Sequence, residues 1–397
     1  MGFCSESDSK PNKRNLRMYN MGFGDCFVIY DDNENLMVDF GSIHSEKALL
    51  KRHPNIFTHI DEYFYNNNSI HSLLITHFHE DHYKFVSKLR DDSLDKIYMR
   101  NIYSSSSQIK LNILALIYFS KTSKIWKTAY DILTATSLVG KGKFNCEYHF
   151  VKEKDYFSVG ATKYQVLAPF DGIKENDNDE EIEEINKLFS KLINQFPDAD
   201  KLFNLILNVN QIFIRKEENV FALTEEEVNQ IKAIYLKILI LIKLLESQKK
   251  KLLKAKKSAH FVIDKKSLSK LIISNDEHKY NIVFKNEENT LLMCGDEKSK
   301  DMKKIIKNIN SKIDIIKTPH HGTKSHYTKA IEAIRGTKYI ATNNYTGRYT
   351  GIYNDYFKIG THLYCSEGGV VKCDNYSLCK CLGPNCNKIG EYHDFNF

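Results

Sequence analysis

One heptapeptide constrains this chain more than any other stretch: Thr76-His77-Phe78-His79-Glu80-Asp81-His82, directly after the apolar run Leu73-Leu74-Ile75. The apolar run reads as a short buried strand, which puts His77, His79, Asp81 and His82, all metal-competent, at the strand's exit. In extended backbone alternate residues point the same way, so His77 and His79 can share one cation. If the chain then turns into a helix, Asp81 and His82 swing towards a second cation beside the first. Imidazole suits Zn2+, Fe or Ni, and the added carboxylate hardens the second position. Tyr83 to Arg90 is predicted to begin that helix. The competing account, histidines in an ordinary surface loop, leaves unexplained why later segments carry the ligands this cluster lacks.

Those segments are Leu36-Met37-Val38-Asp39-Phe40-Gly41 upstream, and Leu291-Leu292-Met293-Cys294-Gly295-Asp296 and Ile315-Ile316-Lys317-Thr318-Pro319-His320-His321-Gly322-Thr323 downstream. With them in view the sequence resembles the metallo-β-lactamase-fold hydrolases. Members of that family need an upstream Asp, His-x-His-x-Asp-His after an apolar strand, a bridging Asp after a later strand and a final His. Pro319 to Gly322, Gly295-Asp296 and the early Gly24-Asp25-Cys26 look like one branch, the ComEC-like hydrolase domains and the related phosphorylcholine esterases. The resemblance covers residues 16–172 and 259–372. It implies an α/β fold, a four-layer αβ/βα sandwich, and two divalent metal ions, Zn2+ with Mn2+ as the alternative. By the same resemblance His77 and His79 hold the first metal, Asp81, His82 and His321 hold the second, and Asp296 bridges them. His320 then faces the substrate as a catalytic group beside Asp81, donating a proton to the leaving oxygen or binding the phosphoryl charge. The roles of His320 and His321 are interchangeable at this level. Relatives often give the first metal a third His, for which the candidates are His149, His260 and His278; each also reads as an ordinary surface histidine. Asp39 is expected to orient a ligand histidine from behind. The position of Asp25 is usually acidic in relatives, and no role follows for it.

Two cations about 3.5–4 Å apart clamp an in-line displacement at phosphorus and make bound water a usable nucleophile near neutral pH. The expected function is therefore a metal-dependent phosphodiesterase, a nuclease or cyclic-nucleotide hydrolase. A second reading is hydrolysis of a small ester, thioester or lactam. A third, of a different class, is a binding or scaffold protein of a defence or toxin complex whose metal site has decayed. Thr76, Thr323 and Ser325 read as hydrogen-bond donors to substrate or ligands, or as plain loop caps. Tyr345 and Tyr349 lie in a Gly- and Tyr-rich loop, where they stack on a base or pack the loop.

The balance of 57 Lys plus Arg against 50 Asp plus Glu gives +7, which permits a nucleic acid or nucleotide partner without demanding one. Residues 1–15 read as disordered and lack the apolar core of a signal peptide. No apolar run reaches the roughly 20 residues needed to span a bilayer; the longest, Ile238 to Ile242, is flanked by Lys237 and Lys243. A cytoplasmic protein with no membrane partner is expected. ComEC-like proteins carry the hydrolase domain on a membrane channel, so DNA uptake is not expected here. Disulfides are not expected among the nine cysteines of a chain in a reducing compartment.

The hydrolase domain, residues 16–372, is expected to be interrupted by a helical insertion over 173–258. Thr224 and Glu227 form a capping box there, opening a helix that could run to about Lys257 and ends in lysines. Those cations suit a helix C-terminus or contact a phosphate backbone. The insertion reads as a lid, a substrate arm, or an interface with a second copy or a partner protein. Residues 44–65 and 107–139 are predicted helical, with Trp126 in the core. Leu271-Ile272-Ile273 and Tyr280 to Phe284 are predicted strands. A C-terminal tail, 373–397, carries Cys373, Cys379, Cys381, Cys386 and His393, either as free thiols or as a small structural zinc site.

Overall fold

The computed structural model describes residues 14–65, 70–100, 105–170, 179–214, 219–254, 265–274, 277–334, 336, 338–342, 352–353, 355–356, 362–365 and 391–397. Over these residues the chain builds two sheets. The first contains β1 (Asn15–Tyr19), β2 (Phe27–Asp31), β3 (Glu34–Val38), β4 (Ile70–Leu74), β5 (Leu94–Met99), β6 (Gly142–Phe150), β9 (Val220–Ala222) and β15 (Tyr392–Asn396), in the order β15-β1-β2-β3-β4-β5-β6-β9. The second contains β7 (Tyr156–Val159), β8 (Thr162–Ala168), β10 (Val283–Asn286), β11 (Leu291–Met293), β12 (Ile315–Lys317), β13 (Lys338–Ala341) and β14 (His362–Cys365), in the order β14-β13-β12-β11-β10-β8-β7.

Alternation along single strands explains why both sheets are covered on both faces. Within β3, Leu36 and Val38 enter a core shared by the two sheets, while Met37 enters the core under the helices. Within β11, Leu291 and Met293 face the shared core, and Leu292 faces the helices of the far side. A strand buried on both faces reads as a continuous apolar run because each residue has an apolar partner whichever way it points. The result is helix, sheet, sheet and helix in four layers, as the sequence led one to expect.

The sheets also share a pairing pattern. β2–β3 is antiparallel and β3–β4–β5–β6 parallel; β10–β11 is antiparallel and β11–β12–β13–β14 parallel. Asp39 therefore follows β3 as Asp296 follows β11, and the histidine cluster follows β4 as His320-His321 follows β12. Parallel strands end at one edge, which is where α/β sheets place their ligands.

The helices are α1 (Glu46–Arg52), α2 (Ile56–Phe64), α3 (Glu80–Tyr83), α4 (Ser106–Tyr118), α5 (Lys124–Thr134), α6 (Asp179–Gln195), α7 (Asp198–Ile214), α8 (Glu225–Lys254), α9 (Lys265–Ser274) and α10 (Ser299–Lys307). The helices predicted over 44–65 and 107–139 are each divided, whereas the one opened at Thr224 runs unbroken as α8. Pro54 stops α1 because the residue before a proline is pushed out of the helical region. The loop after Phe119 separates α4 from α5, and Trp126 is buried in α5. The helix expected from Tyr83 ends at that residue and resumes only as a 3-10 turn at Val86–Lys88. The capping box is present: Glu227 N–H donates to Thr224 Oγ1 at 3.2 Å and Thr224 N–H to Glu227 Oε2 at 2.8 Å.

Two expectations fail locally. Leu271-Ile272-Ile273 is helical, in α9, because Leu268 and Leu271 at helical spacing bury one face in the core beside α4. The strand expected from Tyr280 begins at Val283, since residues 277–280 form a 3-10 turn that carries His278. At the C-terminus Tyr392–Asn396 pairs antiparallel with β1, held by a two-pronged Arg17–Asp394 contact at 2.7 Å. The cysteines of the tail, together with His260, Tyr345 and Tyr349, lie outside the described residues. Among the described residues no helix is long and apolar enough to cross a membrane.

Candidate metal centre

The loop after β4 does what its spacing allowed. His77 Nε2 and His79 Nδ1 lie 2.9 Å apart. α3 then turns Asp81 and His82 to the other side. Gly41, leaving β3, lies against this turn: a Cβ there would stand 2.3 Å from the His82 nitrogen, so only glycine lets the two segments meet. The second sheet supplies the rest. Asp296 follows β11 through Gly295, whose φ of +48° is left-handed. Asn281 clamps that turn, accepting the Asp296 N–H at 2.9 Å and donating to the Cys294 carbonyl at 3.0 Å. His320 and His321 both adopt left-handed backbone, φ +46° and +56°. Such strain in two adjacent bulky residues persists where the surroundings over-determine it, characteristically at functional sites.

Two groups of ligand atoms result, sharing one carboxylate. His77, His79, His278 and Asp296 converge on one side; Asp81, His82, His321 and Asp296 converge on the other, each set within 4.8 Å. Asp296 Oδ2 is the hub, 3.4 Å from His82 Nε2, 3.7 Å from His321 Nε2 and 3.9 Å from both His77 Nε2 and His278 Nε2. These separations are too long for hydrogen bonds, and neither Asp296 oxygen makes one although the residue is fully buried. Buried carboxylate oxygens are costly to leave unbonded, and imidazoles with carboxylates are the donors of Zn2+ and related ions. The residues therefore fit two divalent cations.

All six residues expected to hold metal are brought together, and His278 is the histidine that completes the first group. His149 is not: it pairs with Glu147 at 3.1 Å and packs on Tyr98. His320 stands beside the pair rather than in either set, its Nε2 3.6 Å from Asp296 Oδ2 and its side chain 16% exposed. It lines a cavity of about 370 Å3 with Phe23, Ile43, Asp81, Lys124 and Lys127. Its Nδ1 is 2.6 Å from Thr323 Oγ1, and its ring stacks on His326 at 4.0 Å. Burial pushes His320 down to about 3, and the neighbouring His326 and His321 charges add to that.

Behind these groups a further set of side chains orients them. Asp39 Oδ2 accepts from His82 Nδ1 at 2.7 Å and from Thr76 Oγ1 at 2.6 Å, so Asp39 has its expected place and Thr76 is its partner. Asp25, for which no role was legible, sits 3.2 Å from His321 Nδ1, accepts from Thr342 Oγ1, and lies 2.5 Å from Lys317 Nζ. Lys317 is wholly buried and also donates to the Gly295 carbonyl at 2.9 Å. Sequence reading missed it; the signal was a lysine ending the apolar run Ile315-Ile316, two residues on from Ile315, which alternation places on the shared-core side.

Electrostatics make this cluster self-neutralising. Burial opposes a charge on His321, yet Asp296 and Asp25 push its imidazole up to about 9. Burial likewise opposes a charge on His82, which Asp296, Asp39 and Asp25 hold well above its usual range. Burial would raise Asp81, but the His321 imidazole 3.3 Å away and the His82 charge hold it well below the usual carboxylate range. His321 therefore carries a proton at pH 7 that a cation entering at its Nε2 must displace, and the raised His82 adds to the release. Metal affinity should thus rise with pH towards about 9, the His321 value. Calorimetric titration at pH 7 in buffers of differing ionisation enthalpy reads the release; zero protons released contradicts the assignment. His278→Ala should lower bound metal from about two ions to about one per chain after dialysis; unchanged stoichiometry would remove His278 from the first group.

Comparison with known proteins picks out the first part of this site. Residues 19–103, which carry Asp25, Asp39 and the histidine cluster, match the family model of the Metallo-beta-lactamase superfamily. That match suggests a metal-dependent hydrolase. No curated protein matches the chain. Among solved structures, a protein of unknown function from Enterococcus faecalis V583 is similar at 14% identity, covering 39% of this chain and 37% of that one, with a TM-score of 0.22. The metallo-beta-lactamase GOB-18 from Elizabethkingia meningoseptica is similar at 14% identity over 58% of this chain and 86% of that one, with a TM-score of 0.21. The chain thus spans little more than a third of the first of these.

Proposed function

We propose that this protein is a metal-dependent phosphodiesterase of the ComEC-like branch, acting on a nucleotide or nucleic-acid phosphodiester in the cytoplasm. The observation that carries the reading is the shared carboxylate: Asp296 Oδ2 stands between two nitrogen-rich donor sets with no hydrogen bond of its own. Two cations held by those sets, Zn2+ or alternatively Mn2+, would supply Lewis acidity on both sides of an in-line displacement and an activated water. Everything else falls to the chain. Asp39 and Asp25 hold His82 and His321 by their Nδ1 atoms, which leaves Nε2 of each aimed at the site. Thr323 Oγ1 at His320 Nδ1 fixes that ring so that Nε2 faces the cavity, where a proton on it can be shared with a phosphoryl or leaving oxygen. Lys124 and Lys127 line the same cavity and suit an anionic substrate, although Lys127 is already 2.5 Å from Glu80. The volume, about 370 Å3, is at the small end for ligand sites. His278 completing the first donor set supports a working centre over a decayed scaffold.

The test is hydrolysis of bis-p-nitrophenyl phosphate and of nitrocefin by the full chain loaded with Zn2+ or Mn2+. The expected result is turnover of the diester, reduced at least ~100-fold by Asp81→Ala, since even groups behind the ligands are worth 10–100-fold. Nitrocefin turnover without diester cleavage would replace this reading with hydrolysis of a small ester or lactam. Inactivity on a panel of phosphodiesters with both metals bound would end it.

A further inference from the structure

α8 buries one face and leaves the opposite one bare. Ile231, Ile234, Ile238, Ile242 and Leu245 point into the core beneath the helices. On the outer face Leu236, Ile240 and Leu244 are 61%, 64% and 41% exposed. Successive i, i+4 positions stand one above another on a helix, so these three make a continuous apolar ridge. No described residue covers it.

The ridge is the centre of a longer pattern. Towards the N-terminus the same face continues through exposed Ala233, Asn229 and Glu226; towards the C-terminus through exposed Ser247, Lys251 and Lys254. Read outwards from Ile240, the steps on the face are four, three, four and three residues in both directions. The chemistry mirrors as well: large apolar next to the centre, small beyond it, polar or charged at the ends. Exposed Lys237 and Lys243 flank the ridge three residues either side of Ile240, a like-charged pair that weakens contact there. The ends carry opposite charge, Glu226 against Lys254.

We infer that this face pairs with the same face of a second copy of the chain, antiparallel, about a two-fold axis at Ile240. In that arrangement Leu236 meets the partner copy's position 244, Ala233 meets 247, Asn229 meets 251 and Glu226 meets 254. A two-fold contact must be complementary to itself under exactly one exchange of i and j, and a palindrome in size and charge is the sequence form of that requirement. A parallel pair would set Glu226 on Glu226 and Lys254 on Lys254, and would align the helix dipoles; the antiparallel pair opposes both. A different protein as partner would impose no mirror symmetry on this helix. The small residues at 233 and 247 let the backbones approach on either side of the ridge.

Size sets the strength. The face from 226 to 254 is about 42 Å long at 1.5 Å per residue and about 10 Å wide, so roughly 800 Å2 is buried over two copies, short of the ~1,000 Å2 that a stable specific interface clears and in the range of weak, transient contacts. A groove of about 480 Å3 adjoins Ile240 and Leu241 on the α7 side, floored by Leu205, and a partner side chain entering it adds to that area. The dimer is therefore a weak, transient one.

Sedimentation velocity of the full chain from roughly 1 to 200 µM tests this. The expected result is a concentration-dependent shift from monomer to dimer. Ile240→Glu, at a side chain the fold leaves exposed, should hold the protein monomeric with unchanged helical circular dichroism. Lys251→Glu with Lys254→Glu should weaken association, and adding Glu226→Lys should restore part of it. Ile240→Cys should give a disulfide-linked dimer under mild oxidation, whereas Leu236→Cys, off the axis, should not. A monomer throughout that range overturns the inference, including the case where the ridge binds a membrane or another protein. A dimer indifferent to Ile240→Glu overturns it as well.

Discussion

Asp296→Asn is expected to abolish hydrolysis, lowering kcat by ~1000-fold or more, and to strip at least one cation. The reasoning starts from the hub geometry. One oxygen, Oδ2, lies within 3.4–3.9 Å of imidazole nitrogens from both donor sets. An amide has a single oxygen, no charge to offset two cations, and an N–H2 that points hydrogens into the site. Losing several kcal/mol of charge stabilisation corresponds to a few powers of ten in rate. The substitution should leave the fold intact, because the backbone N–H of residue 296 still donates to Asn281 Oδ1. Metal analysis and diester turnover on the same preparation check both halves. An Asp296→Asn protein that keeps two cations and full activity would show that this carboxylate does not join the two sets.

Lys317→Met is expected to destabilise the protein by about 3–5 kcal/mol, the usual result of removing one partner of a buried ion pair. Lys317 Nζ is 2.5 Å from Asp25 Oδ2 and 3.7 Å from Asp296 Oδ1, all three groups being fully buried. Burial would lower the lysine, but the Asp25 and Asp296 charges hold it above its ordinary value. Methionine fills the same volume, so little of the loss comes from packing. It comes from Asp25, left with the Thr342 hydroxyl and His321 against its charge. Urea unfolding of the metal-loaded protein measures the effect, and Lys317→Met combined with Asp25→Asn should recover part of it. A single-variant loss under about 1 kcal/mol would mean that Asp25 is neutralised by other means.

Both substitutions fall on residues that differ in how far the sequence announced them. Asp296 was legible because it ends an apolar strand in a Gly-Asp step and because the family resemblance assigns it a role. Lys317 was not, since a lysine at a strand end ordinarily reaches solvent. Only the packing of the second sheet against the first closes that exit and makes the lysine a buried counter-charge. His278 shows the same limit: three histidines qualified on type, and nothing local separates a 3-10 turn that reaches the cluster from a strand such as β6 that does not. The helical reading of α8 was secure from its capping box and periodicity, yet its apolar residues occupy two faces. Which face is core follows only from α7 and the 3-10 segment Ala135–Lys141 taking the inner one.

The amino-acid order alone determined what depends on short-range geometry: two alternating histidines sharing a side, an Asp-His step thrown across by one helical turn, and strands apolar enough to be buried on both faces. Tertiary structure decided what depends on distance in the chain, namely that Asp296 stands between the two donor sets, that His278 closes one of them, and that Asp25 and Lys317 neutralise each other behind them. The reason is physical: backbone dihedrals fix where neighbours point, whereas the position of a group hundreds of residues away is set by which faces exclude water together.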